Sequence, residues 1–107
     1  GVEINCLVYT AGQIPVSVDC EIVGEDVQAQ TKQVLENVKA VLKEAGSDLE
    51  SVVKATIFIS NMDDFQQINE VYGSYFSDHQ PARSCVEVAR LPKNVKVEIE
   101  VISQVNS

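Results

Sequence analysis

No segment of this 107-residue sequence approaches the roughly 20 apolar residues that a membrane-spanning helix needs, so no membrane role is expected. Basic residues are scarce. Eight Lys and Arg against 16 Asp and Glu leave a formal charge of −8, which repels a polyanion over most of the surface. Nucleic acid is therefore not expected as a partner. The only local basic candidates, Arg83, Arg90, Lys93 and Lys96, are interleaved with Glu87 and Glu98. Cysteine is limited to Cys6, Cys20 and Cys85, in no metal-ligand spacing. An odd number of cysteines suits free thiols in a reducing compartment better than a disulfide framework. The single histidine, His79, falls in a polar loop and gives no cysteine an activating base. No secretory or transit signal opens the chain. Gly1 to Asn5 read as a strand already under way, so a leader or short N-terminal segment is expected to have been removed or left out.

What is present describes an ordinary globular protein, 45% hydrophobic and 22% charged, with no repeat or low-complexity tract. The length suits one domain over residues 1–107, and a chain of this size buries about two thirds of its unfolded surface.

The spacing predicts a first strand over residues 2–10, broken at Gly12 and Pro15 by a strand end or a bulge. A weaker extended segment follows around Val16 to Val23. Asp26 caps a long helix whose apolar stripe runs through Val27, Thr31, Val34, Leu35, Val38, Val41, Leu42 and Ala45, and Gly46 stops it. Ser47-Asp48-Leu49-Glu50 has capping-box spacing for a single turn. Val52 to Ser60 is a β-branched strand. Asn61 then caps a second helix with Phe65, Ile68, Val71 or Tyr72, and Tyr75 or Phe76 along its core stripe.

The remaining stretch, Pro81 to Glu100, alternates with a period of two in both of its arms and reads as a hairpin turning over Arg90 to Asn94. In that register Glu87 falls opposite Glu98 and Cys85 opposite Glu100, which puts Arg83, Cys85 and the glutamates on one side of the sheet. Two helices and about five strands predict two layers, with the helices on one face of a mixed sheet. The uncovered face is too apolar for water, and a closed oligomer is expected to hide it.

Pro81-Ala82-Arg83-Ser84-Cys85-Val86-Glu87-Val88-Ala89-Arg90-Leu91-Pro92 closely resembles the signature of the Rid family, also called YjgF, the reactive intermediate deaminases. Thr10 to Pro15 is similar to the family's Ser-Gly-Gln-Ile-Pro loop, and the likeness extends through Gln33 to Ala45 and Val53 to Asn69. The resemblance implies an α+β, chorismate-mutase-like subunit in a homotrimer with active sites in clefts between subunits. It implies hydrolysis of 2-imino acids such as 2-iminobutanoate and 2-iminopropanoate to 2-oxo acids and ammonia, without metal or cofactor, in the cytoplasm or the mitochondrial matrix.

By the same resemblance, Arg83 binds the substrate carboxylate, while Glu98, helped by the backbone carbonyl near Cys85, positions the attacking water. The residue types suit these roles. A guanidinium reads a carboxylate bidentately, and a partly buried carboxylate can orient water and move protons. Cys85, lacking a base, is read as a pocket wall rather than a nucleophile. Gly12, Ala11 and Asn69 complete the expected substrate-binding set, Gly12 chiefly through its backbone. Two departures stand out: Ala11 replaces the family's usual serine, and the tyrosine of its Gly-Pro-Tyr segment lies upstream of the first residue here. The loop from Ser77 to Gln80 is also shorter than in many relatives. A non-catalytic small-carboxylate binding module or a chaperone-like protein using the same cleft is the alternative, with ribonuclease activity disfavoured by the charge.

Overall fold

The β-branched stretch Val52–Ile59 forms the strand on which the sheet is built. The computed structural model describes residues 2–4, 6–17, 21–22, 24, 26–77 and 80–105. In chain order the elements are β1 (Val2–Ile4), β2 (Leu7–Tyr9), α1 (Val27–Glu44), β3 (Val52–Ile59), α2 (Phe65–Tyr75), β4 (Ala82–Glu87) and β5 (Val97–Gln104). The five strands make one mixed sheet in the order β1-β2-β5-β3-β4. β3 pairs antiparallel with β5 on one side and parallel with β4 on the other.

Both helices pack on one face, as the two-layer α+β reading expects. Val34, Leu35, Val38 and Leu42 of α1, with Ile68 and Tyr72 of α2, close on Ala55, Ile57 and Ile59 of β3 and on Val97, Ile99 and Val101 of β5. Each large apolar side chain fully withdrawn from water there contributes about 1.5–3 kcal/mol. The helix limits follow the sequence signals. The Asp26 carboxylate accepts from the Ala29 amide at 3.1 Å, and Gly46, with φ of 79°, ends α1 in the left-handed region. Asp48, rather than Ser47, caps the turn that follows, accepting from the Ser51 amide at 3.0 Å. Ser47 is instead buried, 2.6 Å from the Ser103 hydroxyl. Asn61 caps the short turn Met62–Asp64, which leads into α2.

Three sequence readings need correction. The predicted first strand is two strands, β1 and β2, paired antiparallel around a turn in which Cys6 has φ of 66°. A non-glycine residue in that conformation leaves no sequence signature, so the alternation runs through the turn unbroken. The weak segment from Val16 to Val23 is represented by one isolated bridge, Val16 to Ile22. Residues 18–20 and Val23 lie outside the described residues, as do Cys20 and His79.

The third correction concerns the expected hairpin. β4 and β5 do not pair, because β3 lies between them. The register aligns Arg83 with Ala55 and Val101, and Cys85 with Ile57 and Ile99. All four of those partners are buried beneath the helices, so Arg83 and Cys85 belong to the helix-covered face. Val86 aligns instead with Phe58 and Glu98 and faces the other way, 41% exposed. Glu98 and Glu100 therefore lie on the opposite side of the sheet from Arg83 and Cys85.

Candidate active site

Arg83 stands on β4, the outer strand of the sheet, where its side chain reaches α2. Its Nη1 donates to Oδ1 of Asn69. The guanidinium carbon lies 5.0 Å from the centre of the Tyr72 ring and 5.7 Å from that of Phe65, within range for cation–π attraction. Asn69 and Tyr72 are neighbours because residues three apart share a helix face. One amide and two rings thus hold the cation from the α2 side, while Arg83 as a whole remains exposed.

A cleft of about 380 Å³ opens beside it. Asn69, Tyr72, Gly73 and Phe76 of α2 and its C-terminal end form one wall, and Gln80, Pro81 and Arg83 form the other. Tyr72 is only 6% exposed, and its buried hydroxyl has no hydrogen-bond partner among the described residues. Burial raises its pKa, with the nearby Arg83 charge pulling the other way.

Cys85 is half-buried against the core. Burial pushes its thiol pKa up, opposed by Arg83. A raised pKa makes the thiolate less available as a nucleophile.

Glu98 belongs to a second cluster on the open face. Thr10 pairs with Val101, its amide donating to the Val101 carbonyl at 3.0 Å, and Gln13 pairs with Ile99, its amide donating at 2.8 Å. Between these pairs Ala11 and Gly12 stand opposite Glu100 alone, which makes a β-bulge. The bulge brings Gly12 under the Glu98 side chain, where an added Cβ would sit 2.5 Å from Oε2. Glycine is thus the residue that leaves room for the carboxylate. Ala11 is exposed, and its carbonyl accepts from Nε2 of Gln13 at 3.1 Å. Burial raises the Glu98 pKa, and the charge of Glu100 raises it further.

The predicted site residues therefore fall into two groups: Arg83, Asn69 and Cys85 on the helix side, and Gly12, Ala11 and Glu98 on the open side. Their separation in one chain is about 10 Å along the strands and about 10 Å across them, from standard strand spacings. Sequence reasoning placed Tyr72 and Phe65 in the core stripe without seeing that they also carry Arg83. The available signal was their helical spacing from Asn69. The Glu87 carboxylate accepts from the Met62 amide at 2.6 Å.

The endoribonuclease L-PSP model matches residues 1–105, and the chain belongs to that family, which is the YjgF or Rid family of the sequence signature. The chain is 50% identical over 106 residues to the 2-iminobutanoate/2-iminopropanoate deaminase of Salmonella typhimurium, with 96% of this chain and 83% of that one covered. Among solved structures, E. coli TdcF with bound serine matches with a TM-score of 0.92 at 48% identity, over 99% of this chain and 86% of that one. Yeast Mmf1 matches with a TM-score of 0.95 at 42% identity, over 97% and 83% respectively.

Proposed function

We propose that this chain hydrolyses 2-imino acids of the 2-iminobutanoate and 2-iminopropanoate class to 2-oxo acids and ammonia, in clefts between the subunits of a homotrimer. The observation that carries this reading is a braced guanidinium at the sheet edge together with a glutamate of raised pKa on the opposite face. The first suits an α-carboxylate and the second suits a water molecule, but one chain keeps them apart. A neighbouring copy resolves the separation if its open face, with Glu98 and Gly12, approaches the β4 edge that bears Arg83. The exposed Tyr9 and Val86, 42% and 41% accessible, would be covered in the same step.

In this mechanism Arg83 takes the carboxylate of the protonated imine, its orientation set by Asn69. Glu98 accepts a proton from water as the oxygen attacks C2, giving a tetrahedral amino alcohol. The proton passes to the amine, Glu98 takes the hydroxyl proton as the C=O bond forms and the C–N bond breaks, and ammonia leaves, carrying that proton away as ammonium. The protonated imine is already electrophilic, so positioning and proton transfer supply the acceleration. A raised Glu98 pKa brings the carboxyl closer to neutrality, where it can both take and return a proton. None of these steps calls for a metal or a cofactor.

The test generates imines with an amino-acid oxidase or threonine dehydratase and follows their decay. Wild type should clear them faster than buffer, and equal rates would overturn the reading. Saturable binding of 2-oxobutanoate that is lost in Arg83→Ala, with no imine clearance, would identify a binding module instead. The shared site has its own test. Arg83→Ala and Glu98→Gln chains, each inactive alone, should regain activity when refolded together, because about one quarter of the mixed interfaces then hold both native groups. No recovery would place both groups of a working site in one subunit. RNA cleavage, which the family's name describes, fits poorly with a chain of charge −8.

A further inference from the structure

The bulge that packs Gly12 against Glu98 is tied down on both sides. On one side the Thr10 hydroxyl stands in for a main-chain group of the ladder: it accepts from the Val101 amide at 3.0 Å and donates to the Val101 carbonyl at 3.3 Å. On the other, Gln13 exchanges both main-chain bonds with Ile99, at 2.8 and 3.1 Å. Beyond Gln13 the chain turns. Pro15 has no amide to donate, and the Val16 amide bends back to the Ile14 carbonyl at 2.8 Å, a three-residue turn whose middle position suits the fixed φ of proline.

This turn is gripped by α1. Nδ2 of Asn37 donates to the Ile14 carbonyl at 3.0 Å and to the Val16 carbonyl at 2.9 Å, which uses both of its hydrogens. Its Oδ1 accepts from Nε2 of Gln33 at 2.9 Å, because residues four apart share a helix face. The bond from Gln33 decides which way the amide faces. A flipped Asn37 would set its oxygen against two carbonyl oxygens and its NH2 group against that of Gln33. Both residues are half-buried, and asparagine is a poorer helix former than the Glu, Lys and Ala at the exposed positions 36, 39 and 40. What Asn37 provides is a two-pronged hold on the turn, beginning two residues after Gly12.

We propose that Asn37, oriented by Gln33, is a positioning residue for Glu98: by holding the carbonyls of Ile14 and Val16 it keeps Gly12 against the carboxylate. The two amides act through the main chain of residues 12–16 rather than on the substrate. The role rests on the imine-hydrolase reading, in which Glu98 handles the attacking water. Without the grip of Asn37 the bulge is anchored only at Thr10 and Gln13, and Glu98 loses the surface that fixes its place.

The test measures imine clearance by Asn37→Ala, Asn37→Asp and Gln33→Glu, and crosses Asn37→Ala and Gln33→Glu with Gly12→Ala. Asn37→Asp keeps the size of the side chain but turns two oxygens toward the carbonyls. Gln33→Glu accepts from the Asn37 NH2 group and so inverts the amide. Asn37→Ala and Asn37→Asp should lower kcat about tenfold, part of the 10²-fold scale of an ångström misplacement, and Gln33→Glu should lower it by less. In the Gly12→Ala background, where Glu98 is already displaced, either substitution should cost less than about twofold, since changes that act on one group are not additive. The acid limb of kcat should also move to lower pH in Asn37→Ala. Burial is the first cause of the raised Glu98 pKa, and a bulge that draws back admits water, while Glu100 on β5 and Lys54 on β3, charged groups of the same face, keep their places in the ladder.

Thermal unfolding reports whether each variant folds, and Gln33→Glu, which leaves Asn37 in place, carries the same prediction where Asn37→Ala melts early. Wild-type kcat in the folded variants, or equal losses with and without Gly12→Ala, would overturn the role while leaving the imine reading intact. No clearance by wild type would overturn the imine reading and the role with it.

Discussion

The two faces of the sheet treat their functional groups differently. On the helix side Arg83 sits at an exposed edge, and its support comes from other side chains: the Asn69 amide and the rings of Tyr72 and Phe65. On the open side Glu98 is supported by backbone, through a bulge that places Gly12 beneath it. The group proposed to read the carboxylate is thus carried on a flexible stem and steadied by contacts, whereas the group proposed to transfer the proton lies close against the main chain at Gly12. A long cation can adapt to substrates of different size. A general base must hold its distance to water within narrow limits.

The largest effect is expected on the helix side. Arg83→Ala should lower kcat/KM by about 10² or more, since hydrogen bonds to charged groups contribute about 1.5–3 kcal/mol each, and Arg83→Lys should recover only part of it. Steady-state imine clearance measures both, and near-wild-type activity in Arg83→Ala would remove the helix side from the reaction. On the open side Gly12→Ala forces the Glu98 carboxylate aside and should reduce kcat by about 10², the scale of an ångström misplacement. Circular dichroism should show the fold intact. An unchanged kcat would mean that Glu98 does not need that position.

A finer distinction comes from pH. The Glu98 pKa is raised by burial and, second, by Glu100. As a base Glu98 must be ionised, so activity is lost as pH falls through the raised value. Glu100→Gln removes one raising influence and should move the acid limb of kcat to lower pH, whereas a limb that stays put would assign it to another group. Stability runs in the opposite sense. A carboxyl whose pKa is higher in the folded than in the unfolded chain gives stability that is present below the unfolded value and lost as pH rises through the folded one. Glu98→Gln should therefore melt no lower than wild type at neutral pH.

The smallest expected effect is Tyr72→Phe. It removes a buried hydroxyl without a partner among the described residues while keeping the ring under Arg83. Thermal unfolding should show stability unchanged or higher by about 1 kcal/mol. A loss of 2 kcal/mol or more would show that the hydroxyl is satisfied in solution by a bound group.

The helices were legible in the sequence because their burial is one-sided. Asp26, the stripe from Val27 to Leu42 and Gly46 each carry one local meaning, and the structure keeps them, with Val41 of that stripe only half-buried. The strands were legible as strands but not as neighbours. In β4 most residues are exposed, so the alternation of Ser84, Val86 and Val88 did not report which face is buried, and the choice of a hairpin inverted Arg83 and Cys85. Pairing order depends on β3 accepting two partners in opposite senses, which no local pattern states. The site followed the same division. Gly12, Arg83, Cys85 and Glu98 follow from the family resemblance, only Arg83 and Cys85 lying within the Pro81 to Pro92 signature, but the braces Tyr72 and Phe65 emerge only when α2 is set beside β4.

β3 lies between β4 and β5 and is the sole strand that either side of the site has in common. Among the described residues, until it is laid down β4 has no strand partner, and β5 has only the short β2 and the pairings with Thr10 and Gln13. Folding of this chain is therefore expected to wait on one central strand whose contacts join residues distant in sequence. Truncating Ile57 should slow refolding in stopped-flow measurements, whereas truncating Val86 at the rim should chiefly speed unfolding.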